Sequence, residues 1–169
     1  GDIGWQEYAA LDAKQVSKIP EFDGPLSHAI SLLGVAGKTA YHGLLNVPGI
    51  HAGETLMVSA AAGSVGSIVG QIGKIKGARV IGVAGGKEKC DWVVRELGFD
   101  ACLDYKDESS PLRKKVAAAV PGGLDVYFDN TGGDILQCAL FAMKLKGRIS
   151  CCGAVSMYNS KPMPGPMGI

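Results

Sequence analysis

Charge of one sign, long apolar runs and paired cysteine motifs are all missing from this sequence. Its 17 Lys and Arg residues face 16 Asp and Glu across 169 residues, a formal net charge of +1. That balance excludes the broad basic footprint expected of a nucleic-acid binder or of a protein held on anionic lipid. No apolar run approaches the roughly 18 residues of a membrane-spanning helix. The opening Gly1-Asp2-Ile3-Gly4-Trp5 has neither the charged nor the apolar region of a signal peptide. The five cysteines, Cys90, Cys102, Cys138, Cys151 and Cys152, form no C-x-x-C pair, and His28, His42 and His51 add no zinc-ligand spacing. Reduced thiols, a cytoplasmic location and no metal site are therefore expected. What is abundant is glycine: 25 residues, about twice the roughly 7% average usage, without a collagen-like period. Hydrophobic residues at 47% and charged residues at 20% describe a globular chain, and the length suits one core.

From residue 55 onward the chain alternates short apolar runs with helical periodicity. The runs Thr55–Ser59, Arg79–Val83, Ala101–Asp104, Leu124–Phe128 and Arg148–Cys152 read as strands. Between them, Ser64–Lys76 carries Val65, Ile68, Val69, Ile72 and Ile75 at helical spacing. Lys87–Leu97 places Trp92, Val93 and Leu97 on one side, and Pro111–Val120 and Ile135–Met143 complete the helices. Upstream, Trp5–Leu11 reads as a strand, Ser27 as the cap of a helix through Leu33, and Gly37–Leu45 as a further helix. Strand and helix in strict alternation with short connections predict an α/β fold, a Rossmann-type doubly wound parallel sheet.

The first strand runs into Ala60-Ala61-Ala62-Gly63-Ser64-Val65-Gly66, the G-x-G-x-x-G pattern with Ala61 in the first glycine position. A glycine at 63 lets backbone approach a pyrophosphate, Gly66 allows close helix–sheet packing, and the helix start offers free N–H groups. The placement between a strand and a helix supports dinucleotide binding. Gly66, Gly70, Gly73 and Gly77 then form a bare stripe, as expected of a helix lying close to the sheet. A cofactor without a 2′-phosphate calls for an acidic residue about 20 positions on. Here the second strand ends in Gly82-Val83-Ala84-Gly85-Gly86, followed by Lys87 and Lys89, with Tyr105 available after the third strand. Absent acid and present base favour NADPH over NADH, although Glu88 could reach a ribose hydroxyl instead.

Gly37-Lys38-Thr39-Ala40-Tyr41, the Ala60–Gly66 loop and Gly85-Gly86-Lys87-Glu88-Lys89-Cys90 together resemble the zinc-independent medium-chain dehydrogenases/reductases. Phe128-Asp129-Asn130-Thr131-Gly132-Gly133 and Cys152-Gly153-Ala154-Val155-Ser156-Met157-Tyr158-Asn159 narrow this to the double-bond reductase branch of prostaglandin, alkenal and curcumin-type reductases. The resemblance implies that Ala61, Gly63, Ser64, Val65 and Gly66 hold the pyrophosphate, and that Lys89 and Tyr105 hold the 2′-phosphate beside Gly85. It places Asn130 near the nicotinamide half, with Cys152, Gly153, Ala154, Val155 and Ser156 lining the nicotinamide. Tyr158 is the implied group for polarising or protonating substrate, since a phenol can donate to a developing enolate oxygen. The implied reaction is hydride transfer from NADPH to the β-carbon of a small-molecule enone or enal, with protonation at the α-carbon.

Ala36 and Lys38 depart from the family's usual proline and apolar residue in the Gly37–Tyr41 segment. The resemblance further implies an isolated cofactor domain over residues 26–169, truncated on its C-terminal side. Residues 1–25 would then be a remnant of an upstream β-rich catalytic domain. Such a domain is expected to be inactive alone and to pair into homodimers, without nucleic acid or membrane. An NADPH quinone oxidoreductase domain is the alternative, against which Tyr158-Asn159 and Gly85-Gly86-x-x-Lys89 lean. A cofactor-binding module with no catalysis of its own is the other.

Overall fold

A computed structural model of the chain describes residues 4–159 and 165. Five short runs rich in β-branched residues form strands β1 (Thr55–Ser59), β2 (Arg79–Ala84), β3 (Ala101–Asp104), β4 (Leu124–Asp129) and β5 (Met143–Cys151). All pair in parallel in the order β3-β2-β1-β4-β5. The chain leaves β1 toward β2 on one side and returns to β4 on the other, so a switch point lies between β1 and β4. In open parallel sheets of this kind the crevice beyond the strand ends at that point is where ligands bind.

The helices are α1 (Ser27–Ile30), α2 (Val35–Tyr41), α3 (Ser64–Ile75), α4 (Lys87–Arg95), α5 (Leu112–Ala119) and α6 (Gly133–Ala142). They cover both faces because successive strand side chains point to opposite sides. Leu56 and Val58 of β1, with Val80, Val126 and Phe128, pack against Ala40, Val69, Val93 and Phe99 on one face. Met57, Ile81, Val83 and Tyr127 meet Val116, Val120 and Ala139 on the other. The glycine stripe of α3 serves this packing. A Cβ at Gly70 would stand 1.8 Å from the Phe99 ring, and one at Gly73 would stand 2.7 Å from Leu56 Cδ2. Bare backbone therefore lets the helix sink onto the sheet, and its start is carried close to the strand ends.

Several expected details differ. Trp5–Leu11 forms no strand and is exposed, because no described strand lies beside it to supply ladder partners. Leu26, not Ser27, is the N-cap of α1 and makes no side-chain capping bond. Ile75, assigned to an apolar helix face, lies largely in solvent, and Trp92 is 43% exposed. The segment read as a helix over 37–45 continues α2 as a π-helical turn at His42–Asn46. β5 begins five residues earlier than the Arg148 start, through a register shift against β4 and a left-handed Lys146. Arg148 ties this strand to the loop before β1, donating to the Pro48 and Gly49 carbonyls and to both Glu54 oxygens at 2.8–2.9 Å. No helix among the described residues is long and apolar enough to cross a membrane.

Candidate functional site

Five segments leave the C-terminal ends of the five strands. In the loop after β1, Ala60 takes a left-handed φ of 49° and its carbonyl accepts the Gly63 N–H at 2.8 Å. That carbonyl occupies the space a side chain at residue 66 would need: a Cβ on Gly66 would stand 2.3 Å away. The Ala61 N–H donates to the Val83 carbonyl at 3.0 Å, which pins the turn to β2. Ser64 then opens α3 with Gly63 as N-cap, so no side chain caps the first-turn amides. Their N–H groups, at the positive end of a 12-residue helix, are suited to an anion. Val65 turns inward and packs on the core. The residues of the predicted pyrophosphate loop are thus assembled as one turn.

On the β2–β3 side, Gly85 lies against the ring of Tyr105, whose hydroxyl would stand 2.8 Å from a Cβ there. Gly86, the N-cap of α4, has φ 99°, a conformation that favours glycine. Its N–H donates to Asp104 Oδ1 at 2.7 Å, and the same oxygen accepts the Lys106 N–H at 2.9 Å. These two amides hold the Asp104 carboxyl below the usual carboxylate range. The Tyr105 N–H returns to the Ala84 carbonyl at 3.2 Å. Lys115 reaches from α5 to the Asp104 and Asp107 carbonyls and to Asp107 Oδ2. That bond is the main reason Asp107 is pulled down to about 2. Lys87 pairs with Asp91 along α4. Lys89, exposed on the same first turn, has no carboxylate partner among the described residues.

On the β4–β5 side the centre is a buried carboxylate. Asp129 is 3% exposed, and its Oδ1 accepts from the Tyr127 hydroxyl at 2.9 Å and the Thr131 and Gly132 amides at 3.0 and 2.9 Å. Ser59, fully buried at the end of β1, directs its hydroxyl toward Asp129 Oδ1 and the Phe128 carbonyl. Ser59 Oγ in turn accepts the Asn130 N–H at 2.8 Å. The Asn130 side-chain amide donates to the Ser59 carbonyl at 2.7 Å, bridging the switch point. Burial and the neighbouring Asp129 charge push the Tyr127 hydroxyl far up, so it remains a donor. The segment after β5 folds back on this hub. Cys152 and Gly153 donate their amides to the Asp129 carbonyl, Val155 to that of Asn130, and Ser156 to that of Thr131.

Tyr158 closes the same loop. Its hydroxyl oxygen accepts the Ala154 N–H at 3.3 Å and lies over Gly153, 3.1 Å from where a Cβ would stand. A cavity of about 670 Å³ is lined there by Asp129, Gly132, Cys152, Gly153, Met157 and Tyr158. A smaller one of about 320 Å³ is lined by Tyr105, Thr131, Gly132, Asp134, Val155 and Ser156. It joins one residue of the β2–β3 side to two of the segment after β5. Of the sequence-predicted residues, Cys152, Gly153, Ala154 and Tyr158 line the larger cavity and Tyr105, Val155 and Ser156 the smaller one. Sequence reasoning missed Ser59, Asp104, Tyr127, Asp129 and Thr131 as working parts. The polar residues Ser59 and Asp129, each directly after an apolar stretch of its strand, were the available signal. All five cysteines are free thiols. Among the described residues no group of three or more His, Cys, Asp or Glu could hold a metal ion.

The family profile described as zinc-binding dehydrogenase matches residues 64–167. The chain is 46% identical over 169 residues to prostaglandin reductase 1 of Mus musculus, covering 98% of this chain and 50% of that protein. It is 43% identical over 167 residues to the NADPH-dependent curcumin reductase of Escherichia coli strain K12, covering 98% of this chain and 48% of that protein. The chain spans about half the length of the curated relatives it matches. Among solved structures, CurA from Vibrio vulnificus in complex with NADPH superposes with a TM-score of 0.78 at 44% identity. It covers 82% of this chain and 40% of that one.

Proposed function

Because this chain belongs to the zinc-binding dehydrogenase family, and within it to the zinc-independent double-bond reductase branch, we propose that it is the NADPH-binding part of an oxidoreductase. The whole enzyme would reduce the carbon–carbon double bond of α,β-unsaturated ketones and aldehydes. The observation that carries the cofactor reading is that β2 ends without a carboxylate, Tyr105 lies against Gly85, and the helix that follows exposes a cation, Lys89, with no carboxylate partner among the described residues. A dinucleotide fits this rim because the first-turn amides of α3 have no side-chain cap and are left to an anion.

The first-turn amides and Gly63 would hold the pyrophosphate, and Lys89 and Tyr105 the 2′-phosphate. Asn130 and the Cys152–Ser156 segment would line the nicotinamide. Bound NADPH supplies the hydride for the β-carbon. Tyr158 then has a defined task. Its oxygen already accepts from Ala154, so its own proton is free to be donated to the substrate carbonyl oxygen. A donor there stabilises charge that develops only as the double bond is reduced. Thermal-shift titration tests the cofactor reading: NADPH should raise the melting temperature more than NADH, and Lys89→Ala should remove the difference. Equal shifts with both cofactors would overturn it.

A further inference from the structure

The two halves of the proposed 2′-phosphate clamp sit on different loops. Lys89 belongs to the first turn of α4, whose N-cap is Gly86. Tyr105 follows β3 directly. Among the described residues no hydrogen bond joins Lys89 to Tyr105 themselves, so their spacing has to be set by the backbones that carry them. One side chain spans those backbones. Asp104, the residue before Tyr105, accepts the Gly86 N–H at 2.7 Å and the Lys106 N–H at 2.9 Å through a single oxygen. Gly86 needs such a tether, since its φ of 99° is one of several conformations open to glycine. The Asp104 carbonyl is fixed from below by Lys115, and the Tyr105 amide by Ala84. Both flanks of the carboxylate are therefore hydrogen-bonded to other elements, and its bond to Gly86 ties the start of α4 to them.

We propose that Asp104 is a positioning residue that holds Lys89 and Tyr105 at the spacing a 2′-phosphate requires, and so sets the preference for NADPH over NADH. This rests on the cofactor reading above. Asp104 does not touch the phosphate in this role; its free charge would repel one, and it acts through the two amides it accepts. The conservative variant separates these effects. Asparagine keeps an acceptor oxygen for Gly86 and removes the charge, whereas alanine removes both.

The experiment is fluorescence titration of the full chain with NADPH and with NADH, for the unaltered protein, Asp104→Ala and Asp104→Asn. Asp104→Ala should weaken NADPH by about tenfold, the scale of lost hydrogen bonds to a charged group, with NADH nearly unchanged. Asp104→Asn should restore the preference at least to its original ratio. Equal weakening of both cofactors by Asp104→Ala would reduce Asp104 to a structural role and overturn the proposal. So would an Asp104→Asn protein that behaves like the alanine variant. If the unaltered chain itself shows no preference for NADPH, the cofactor reading falls first and this inference with it. A retained preference insensitive to Asp104→Ala sinks the inference alone.

Discussion

Asp104 on the β2–β3 side and Asp129 on the β4–β5 side use one device in two settings. Each carboxylate ends a strand, and each turns one oxygen back onto two amides of nearby loops: Gly86 and Lys106 for Asp104, Thr131 and Gly132 for Asp129. Their solvent contact differs. Asp129 is 3% exposed and is joined by the buried Ser59 and Thr131, whereas Asp104 is half-buried at a rim whose neighbours Tyr105, Lys106 and Asp107 are exposed. The cost of removing a hydrogen bond depends on what replaces it. In the buried case nothing does, and at the rim water can. The same geometry should therefore hold the fold together on one side and tune recognition on the other.

The most direct way to break the comparison is Asp129→Ala. It leaves the Tyr127 hydroxyl and the Thr131 and Gly132 amides without their acceptor inside the protein, and the loop carrying Cys152–Ser156 is anchored to the same residues. A loss of about 3 kcal/mol is expected, read as a lower urea midpoint. Asp104→Ala in the same assay should shift it far less. Comparable losses for the two variants would show that solvent exposure does not divide the two sites.

A smaller effect should separate them in acid. Asp104 and Asp107 titrate below their ordinary 3.8, Asp107 near 2. A depressed carboxylate contributes stability that is present above its unfolded pKa and is lost as pH falls through its folded one. Stability in urea should thus hold from neutral pH to about 5 and decline from about 4 downward. In Asp104→Asn, which cannot take up that proton, the decline should be shallower. An identical slope would mean that Asp104 is not held as an anion by Gly86 and Lys106. Glu54, held low chiefly by its hydrogen bond to Arg148, contributes to the slope in both proteins and cancels in the difference.

These two carboxylates also mark where sequence reading stops. β1 and β3 were legible to the residue, because apolar runs bounded by glycine and polar turns have few alternatives in a parallel sheet. The loop at 60–66 was legible because its glycine spacing is dictated by local backbone clearance, as the Ala60 carbonyl facing Gly66 shows. Asp104 and Asp129 carry no such local signature. Their partners lie from two to seventy positions away, and the distant ones come together only when β2 pairs with β3 or β1 with β4. The start of β5 was hidden for a related reason: Lys144, Lys146 and Gly147 break the apolar run, and pairing with β4 overrides that local preference. Trp5–Leu11 failed in the opposite sense: it has the residues of a strand, and none of the five described strands pairs with it.

Tyr158→Phe should have the smallest effect on the fold. The hydroxyl accepts the Ala154 N–H at 3.3 Å, on a residue 67% exposed. Its loss should cost under about 0.5 kcal/mol, the ordinary range for a surface change, and the loop keeps its backbone bonds to Asp129, Asn130 and Thr131. NADPH affinity should also stay close to that of the unaltered chain, since the oxygen is assigned to the substrate and not to the cofactor. In a full-length reductase carrying this chain as its cofactor half, turnover of an enone should nonetheless fall by about a hundredfold or more, the usual worth of a positioned proton donor. The informative result is the gap between the measurements. If turnover and cofactor affinity fall together, Tyr158 shapes the nicotinamide loop; if turnover alone falls, its proton is used in the reaction.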